Sequence, residues 1–373
     1  MIDTIIICIP VTGSNILNYD AFNPSAKGMF EAPFYTLNQG YMKCTQTSTA
    51  TERKHGIYKP KLTISKTIRK HIFSTVLKIE FSAPKLLYGN NFDEFSDIDF
   101  YKLLQLLHNK LQEMNVYIDI EELKFADVVA IHYGKNIILD HITARVMINT
   151  IAKMDVTKRL DLGSTDFRNN GHAIRFHANH YELSFYDKVK DLKQSKISEK
   201  RALEQDSYIQ YNILEKATRK GLEVLRMEVR LNNKQCIKNM LDKIGKSVND
   251  MTLQNYLSND IARKVLQHHW EAIIDNSLGV VLLSEQSDEV ILSKLISGGF
   301  RPSKAFRILG ELNYIKSNSI RQCKDIDKSF SRTRKELEIA NIDLNENYLF
   351  NNFQEAKRAL LLKQELQLSN HLF

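Results

Sequence analysis

The sequence predicts an α+β fold: a central, mostly antiparallel sheet with flanking helices, followed by an α-helical C-terminal domain. Three observations carry this. Alternating apolar and polar runs recur between segments of helical spacing as far as about residue 235. Two of those runs, residues 173–176 and 181–187, have only a short connection between them, which reads as a hairpin. Beyond Asn232 the pattern is helical to the end. The 373 residues therefore divide into an α+β domain, 1–235, and a helical domain, 236–373.

Taken in order, residues 1–11 (MIDTIIICIPV) are rich in β-branched Ile5, Ile6, Ile7 and Ile9 and are stopped by Pro10, as a buried strand would be. The run is too short to span a bilayer and has no basic leader, so a chain of the cytoplasm, with no membrane partner, is expected. Residues 20–70 are polar, rich in Thr, Ser, Lys and Gly. Residues 75–81 (TVLKIEF) alternate, with Val76, Lys78 and Glu80 on one face and Leu77, Ile79 and Phe81 on the other. Residues 82–91 read as a loop. Residues 97–114 space Phe100, Leu103, Leu104, Leu107 and Leu111 as a helix, capped by Ser96 or Asp97. A strand over 125–132, a helix over 136–154, the hairpin, a charged helical stretch ended by Gly221 and a last strand over 222–231 complete the first domain.

Composition excludes several classes. Hydrophobic residues at 43% and charged residues at 26% are globular values, not those of a disordered chain. The four cysteines are scattered without metal or disulfide spacing, which suits a reducing compartment. Lys plus Arg exceed Asp plus Glu by 52 to 44, a net charge of +8, and the excess is concentrated. Residues 41–70 hold eight basic residues and one acid, and residues 294–335 hold eleven and three. Two such zones point to a polyanion.

Acids inside strands need a partner, because burying a bare carboxylate costs several kcal/mol. Glu80 and Glu228 are such acids. Each has a structural explanation, Glu80 pairing with Lys78 and Glu228 with Arg226 and Arg230, its i±2 neighbours. Each also has a chemical one. With His132 and Tyr186 on other strands, they form a set of carboxylates, imidazole and phenol suited to Mg²⁺ or Mn²⁺ and to nucleophilic attack on a phosphodiester. Lys188, two residues after Tyr186 and read on the same strand face, would stabilise the phenolate.

The ordered set KIEFSAPKLLYGNN, AIHYGKN, ELSFYDK and LRMEVRLN resembles the replication proteins of the filamentous-phage gene II/X family over about residues 70–235. The resemblance implies a rolling-circle initiator, a site-specific endonuclease whose tyrosine nicks one strand, becomes linked to the 5′ phosphate and later allows rejoining. It implies Tyr186 as nucleophile with Lys188 beside it, and Glu80, His132 and Glu228 as metal ligands for Mg²⁺ or Mn²⁺. Asp127 is the alternative to His132 and falls on the opposite face of a regular strand. Tyr181 is the alternative nucleophile, also on the opposite face. The chain lacks the His-hydrophobe-His motif of the wider nickase superfamily, so its metal site is expected to be built mainly from acids.

The second basic zone includes a helix, a short break and another helix, with Ser303 as cap and Ala305, Ile308, Leu309 and Leu312 as buried face. That is a helix-turn-helix pattern suited to DNA. The expected partners are origin DNA, single-stranded and duplex, and a host helicase and polymerase. The alternative reading is a DNA-binding plasmid initiator or repressor that does not cut.

Overall fold

Alternation decides the sheet. In β1 (Ile2–Pro10) Ile5, Ile7 and Ile9 are buried while Ile6 and Cys8 are only half-buried. In β4 (Ile72–Ser82) Leu77, Ile79 and Phe81 are buried on that same face, in register with β1. The computed structural model describes residues 1–31, 41–54, 57–69, 72–155, 161–195, 215–246, 250–339 and 347–362. Among them, nine strands form one sheet: β1, β2 (Tyr41–Gln46), β3 (Lys61–Arg69), β4, β5 (Asp127–Leu139), β6 (Asp161–Arg168), β7 (Ala173–Ala178), β8 (Tyr181–Asp187) and β9 (Glu223–Leu231). Their spatial order is β2-β3-β4-β1-β5-β9-β8-β7-β6, and every neighbouring pair is antiparallel.

Helices cover the apolar face. α1 (Phe100–Glu113) buries Leu103, Leu104, Leu107 and Leu111, as its spacing predicts. α2 (Ala144–Ala152) packs on β7, β8 and β9. The next helix, α3 (Lys188–Ser195), instead lies against β8 and β9 beside a small separate cluster of Phe92, Val189, Leu192, Ala217 and Val224. α4 (Lys234–Lys243) and α5 (Asn259–Trp270) return to the apolar face of β5 and β9. α6 (Asn276–Ser284), α7 (Asp288–Ser297), α8 (Pro302–Ser317), α9 (Ile320–Ile326) and α10 (Phe330–Ile339) follow, and α11 (Tyr348–Leu361) packs back on β5. One apolar cluster runs from Met1 to Leu360, across the boundary expected at residue 235. No helix among the described residues is long and apolar enough to cross a membrane.

Several expectations are corrected. Residues 20–70 contain β2 and β3, whose outward positions are Thr, Ser and Lys and so mask the alternation. Residues 83–88 form a short helix, not a loop; Pro84 lies in its first turn and Gly89, at φ 71°, closes it, a start and stop that side-chain polarity does not reveal. β5 continues seven residues past His132, because Tyr133, Gly134, Lys135 and Asn136 pair with β9. The following helix is correspondingly shorter than expected. β6 has no apolar alternation to announce it. The charged stretch after Lys188 is helical to Ser195, and residues 196–214 lie outside the described residues. In the second basic zone α8 and α9 are separated by Asn318 and Ser319. The cap of α8 is Arg301 followed by Pro302, not Ser303, and Ser319 caps α9 through the Gln322 amide.

Candidate active site

The face of the sheet opposite the main core carries a run of charged residues. Arg226, Glu228 and Arg230 alternate along β9 on that face, opposite Asn136, Gly134 and His132 of β5 and opposite Tyr186, Ser184 and Glu182 of β8. Antiparallel register alone thus brings Tyr186, Glu228 and His132 together.

Glu228, 2% exposed, is the hub. Its Oε2 accepts a hydrogen bond from the Tyr186 hydroxyl at 3.0 Å and its Oε1 one from Arg230 Nε at 2.7 Å. Arg226 Nε stands 3.6 Å from Oε2, and His132 Nδ1 4.0 Å from Oε1. Burial alone would raise the Glu228 carboxyl, but the guanidiniums of Arg230 and Arg226 outweigh it and hold the group well below the usual carboxylate range. The phenol of Tyr186 is pushed well above its ordinary value, first by burial and then by the Glu228 carboxylate. Burial also lowers the His132 imidazole, which hydrogen-bonds Asn232 at 3.2 Å.

Arg226 crosses β5 to reach β1. Its Nη1 donates to Asn136 Oδ1 at 3.0 Å and its Nη2 to Asp3 Oδ2 at 2.8 Å. Gly134 makes the crossing possible, since a Cβ there would lie 2.8 Å from Arg226 Nη2 and 3.1 Å from Cζ. On the other flank Arg230 Nη1 lies 3.2 Å from Glu182, which Arg175 also approaches at 3.0 Å.

Lys188 is the first residue of α3 and not part of the strand. Asp187 accepts the Lys190 amide at 2.9 Å, as a capping residue does, and so fixes the turn from strand to helix. The turn brings the Lys188 ammonium to 5.9 Å from the Tyr186 ring centre and 5.7 Å from that of Phe92. Burial first, and the Arg226 charge second, push the Lys188 amine down to about 8.

Glu80 does not join this group. It faces the same side of the sheet, but β4 is separated from β9 by β1 and β5, about 14 Å at ordinary strand spacing. Its register partners are Ile6 and Lys61, and it forms no ion pair among the described residues. Asp127 is not placed as a regular strand predicts. A bulge between Val128 and Ala130 brings it opposite Cys8, on the face of His132, where it pairs with Lys234 at 3.0 Å. Tyr181 is on the opposite face from Tyr186, as expected, with its hydroxyl 2.8 Å from the His269 ring nitrogens. The described residues contain no group of three His, Cys, Asp or Glu able to hold a metal. The donor set expected for Mg²⁺ or Mn²⁺ is therefore not assembled here: Glu228 is occupied by two guanidiniums and a phenol, and Glu80 lies elsewhere. The structural explanation of Glu228, pairing with Arg226 and Arg230, is the arrangement found.

Asp3, Asn136, Gly134 and Glu182 were not anticipated. Gly134 inside a strand and charged residues alternating through LRMEVRL were the available signals; nothing local marks Asp3, which is recruited from 223 positions away.

The class of protein follows from comparison with known families: the chain is a replication-associated protein. It belongs to the family described as the N-terminal region of the replication-associated gene II protein, which matches residues 1–253 and is of the filamentous-phage type. No curated protein matches the chain, and no solved structure matches it.

Proposed function

We propose that this replication protein initiates rolling-circle synthesis by nicking one DNA strand with Tyr186. The observation that carries the reading is the Tyr186 hydroxyl bonded to a buried carboxylate inside a ring of cations, Arg226, Arg230 and Lys188. In the resting site Glu228 is a poor base because the guanidiniums neutralise it. A phosphodiester entering the ring competes for those guanidiniums. As they turn to the phosphate, burial dominates at Glu228 and makes it a competent acceptor for the phenol proton. The phenolate oxygen then forms a bond to phosphorus while the bond from phosphorus to the 3′ oxygen breaks. That oxygen leaves with the electron pair and takes up a proton as the 3′-OH, which primes synthesis. Rejoining is the reverse attack of a 3′-OH on the phosphotyrosine.

Incubation with a single-stranded origin oligonucleotide followed by denaturing electrophoresis tests this. Wild-type protein is expected to yield a denaturant-resistant adduct whose peptide map places DNA on Tyr186. Tyr186→Phe should lose the adduct by at least about a hundredfold and keep DNA binding. An adduct persisting in that variant would exclude Tyr186. If no adduct formed with wild type under any added Mg²⁺ or Mn²⁺, the non-cutting DNA-binding reading would stand instead.

A further inference from the structure

A separate pocket of about 350 Å³ opens beneath the β7–β8 hairpin, between the turn residues Asn179 and His180, the end of β9, and helices α4 and α5. Its size is at the lower end for ligand sites, suited to a heterocycle with a sugar and not to a larger cofactor. The walls combine two kinds of surface. Leu231 and Met240 are apolar, while Tyr181, His268, His269 and Asn239 present hydrogen-bonding groups. Tyr181 and His269 are held in place by their mutual contact, the ring centres 5.2 Å apart. Burial lowers both imidazoles, His269 to about 3. The His269 ring is engaged by the Tyr181 hydroxyl, which leaves His268 and the Asn239 amide to meet a ligand. The cationic group at the rim is Lys243, exposed near the end of α4. A neutral hydrogen-bonding floor with aromatic and apolar walls and a cation at the mouth matches one ligand chemistry: a planar heterocycle carrying an anionic tail.

We propose that this pocket binds a nucleobase with its phosphate held at the rim by Lys243. The pocket uses no residue of the Tyr186 site, although the presence of unpaired bases nearby rests on the reading of the protein as one that handles single-stranded DNA. Calorimetric titration of the full chain with the four deoxynucleoside monophosphates, and with 2-deoxyribose 5-phosphate as baseless control, tests it. At least one nucleotide is expected to bind about tenfold or more tighter than the control. Asn239→Trp, which fills the pocket from a half-exposed helix position, should abolish that difference. Lys243→Ala should weaken the nucleotide but not the corresponding nucleoside. Competition by a decamer of the preferred nucleotide assigns the site to a base of a strand; absence of competition assigns it to free nucleotide. No preference over the baseless control, or unchanged binding in Asn239→Trp, would overturn the proposal. Tyr186→Phe should bind the nucleotide as wild type does, and a wild-type chain that binds nucleotide but forms no adduct would count against the nicking reading alone.

Discussion

Glu228 shows how one residue carries two consequences. Its carboxylate is the counter-ion of Arg226 and Arg230 and the acceptor for Tyr186. Glu228→Gln removes the counter-ion and the proton-accepting carboxylate, although its amide oxygen can still accept the Tyr186 hydrogen bond. The expected loss in adduct formation is about 10²–10⁴-fold, the usual worth of a positioned base, with a destabilisation of about 1–3 kcal/mol, because Arg226 keeps Asp3 and Arg230 keeps Glu182. Denaturant melts and adduct yield measure the two separately, and Glu80→Ala, remote from the ring, should leave yield within about twofold. Lys188 gives a pH signature. Its amine stands at about 8 when folded against 10.5 as the ordinary value, so the unfolded chain binds more protons between those limits. Stability from this group therefore rises with pH through that window. Lys188→Met should be more stable than wild type by about 2–3 kcal/mol at pH 7, an advantage that fades between pH 8 and 10.5 in thermal melts.

At the scale of elements, the site depends on β5 being continuous past His132. Gly134 sits at the crossing point of Arg226, and the expected strand ended two residues before it. Gly134→Ala should push the guanidinium off Asp3 at a cost of about 1–3 kcal/mol, as overpacking does, and should abolish the adduct. Unchanged stability and yield would mean that Arg226 does not need the glycine. β4 and β9 were legible because apolar residues occupy one face of each and charged ones much of the other. β2 and β3 were not, since their sequences YMKCTQ and KLTISKTIR are mostly polar and their burial of Cys44, Leu62 and Ile64 comes from neighbours distant in the chain. The hairpin of β7 and β8 was itself legible, but its expected connection of residues 177–180 shortens to Asn179 and His180, because His177 and Ala178 pair with Glu182 and Tyr181.

For the whole molecule, the expected division at residue 235 meets a core that does not stop there. Val265, Leu266 and Trp270 of α5 and Phe353 of α11 belong to the same apolar cluster as Ile5, Tyr133 and Val229 of the sheet. A chain truncated at residue 253, where the family match ends, would leave that face of the sheet exposed. It is expected to aggregate or to lose its cooperative thermal transition. A soluble 1–253 fragment with native-like melting would show that the C-terminal helices are dispensable to the core. Part of the second basic zone is likewise spent on structure: Lys324 and Arg334 pair with Asp155, and Lys304 with Glu336. Arg301, Lys316, Lys328, Arg332 and Lys335 are exposed and available for phosphate.

The sequence by itself determined the α+β class, the alternation that puts Tyr186, His132, Glu228 and Glu80 on strands, and the family, because these are written in local periodicity and ordered motifs. Only the tertiary structure decided which of those residues meet. Strand order separates Glu80 from β9, a bulge turns Asp127, and a helix turn brings Lys188 back over Tyr186. Charge balance was decided there too. Whether a strand carboxylate faces a metal or a guanidinium depends on what the neighbouring strands present, and here β9 supplies its own arginines while β1, through Asp3, holds one of them in place.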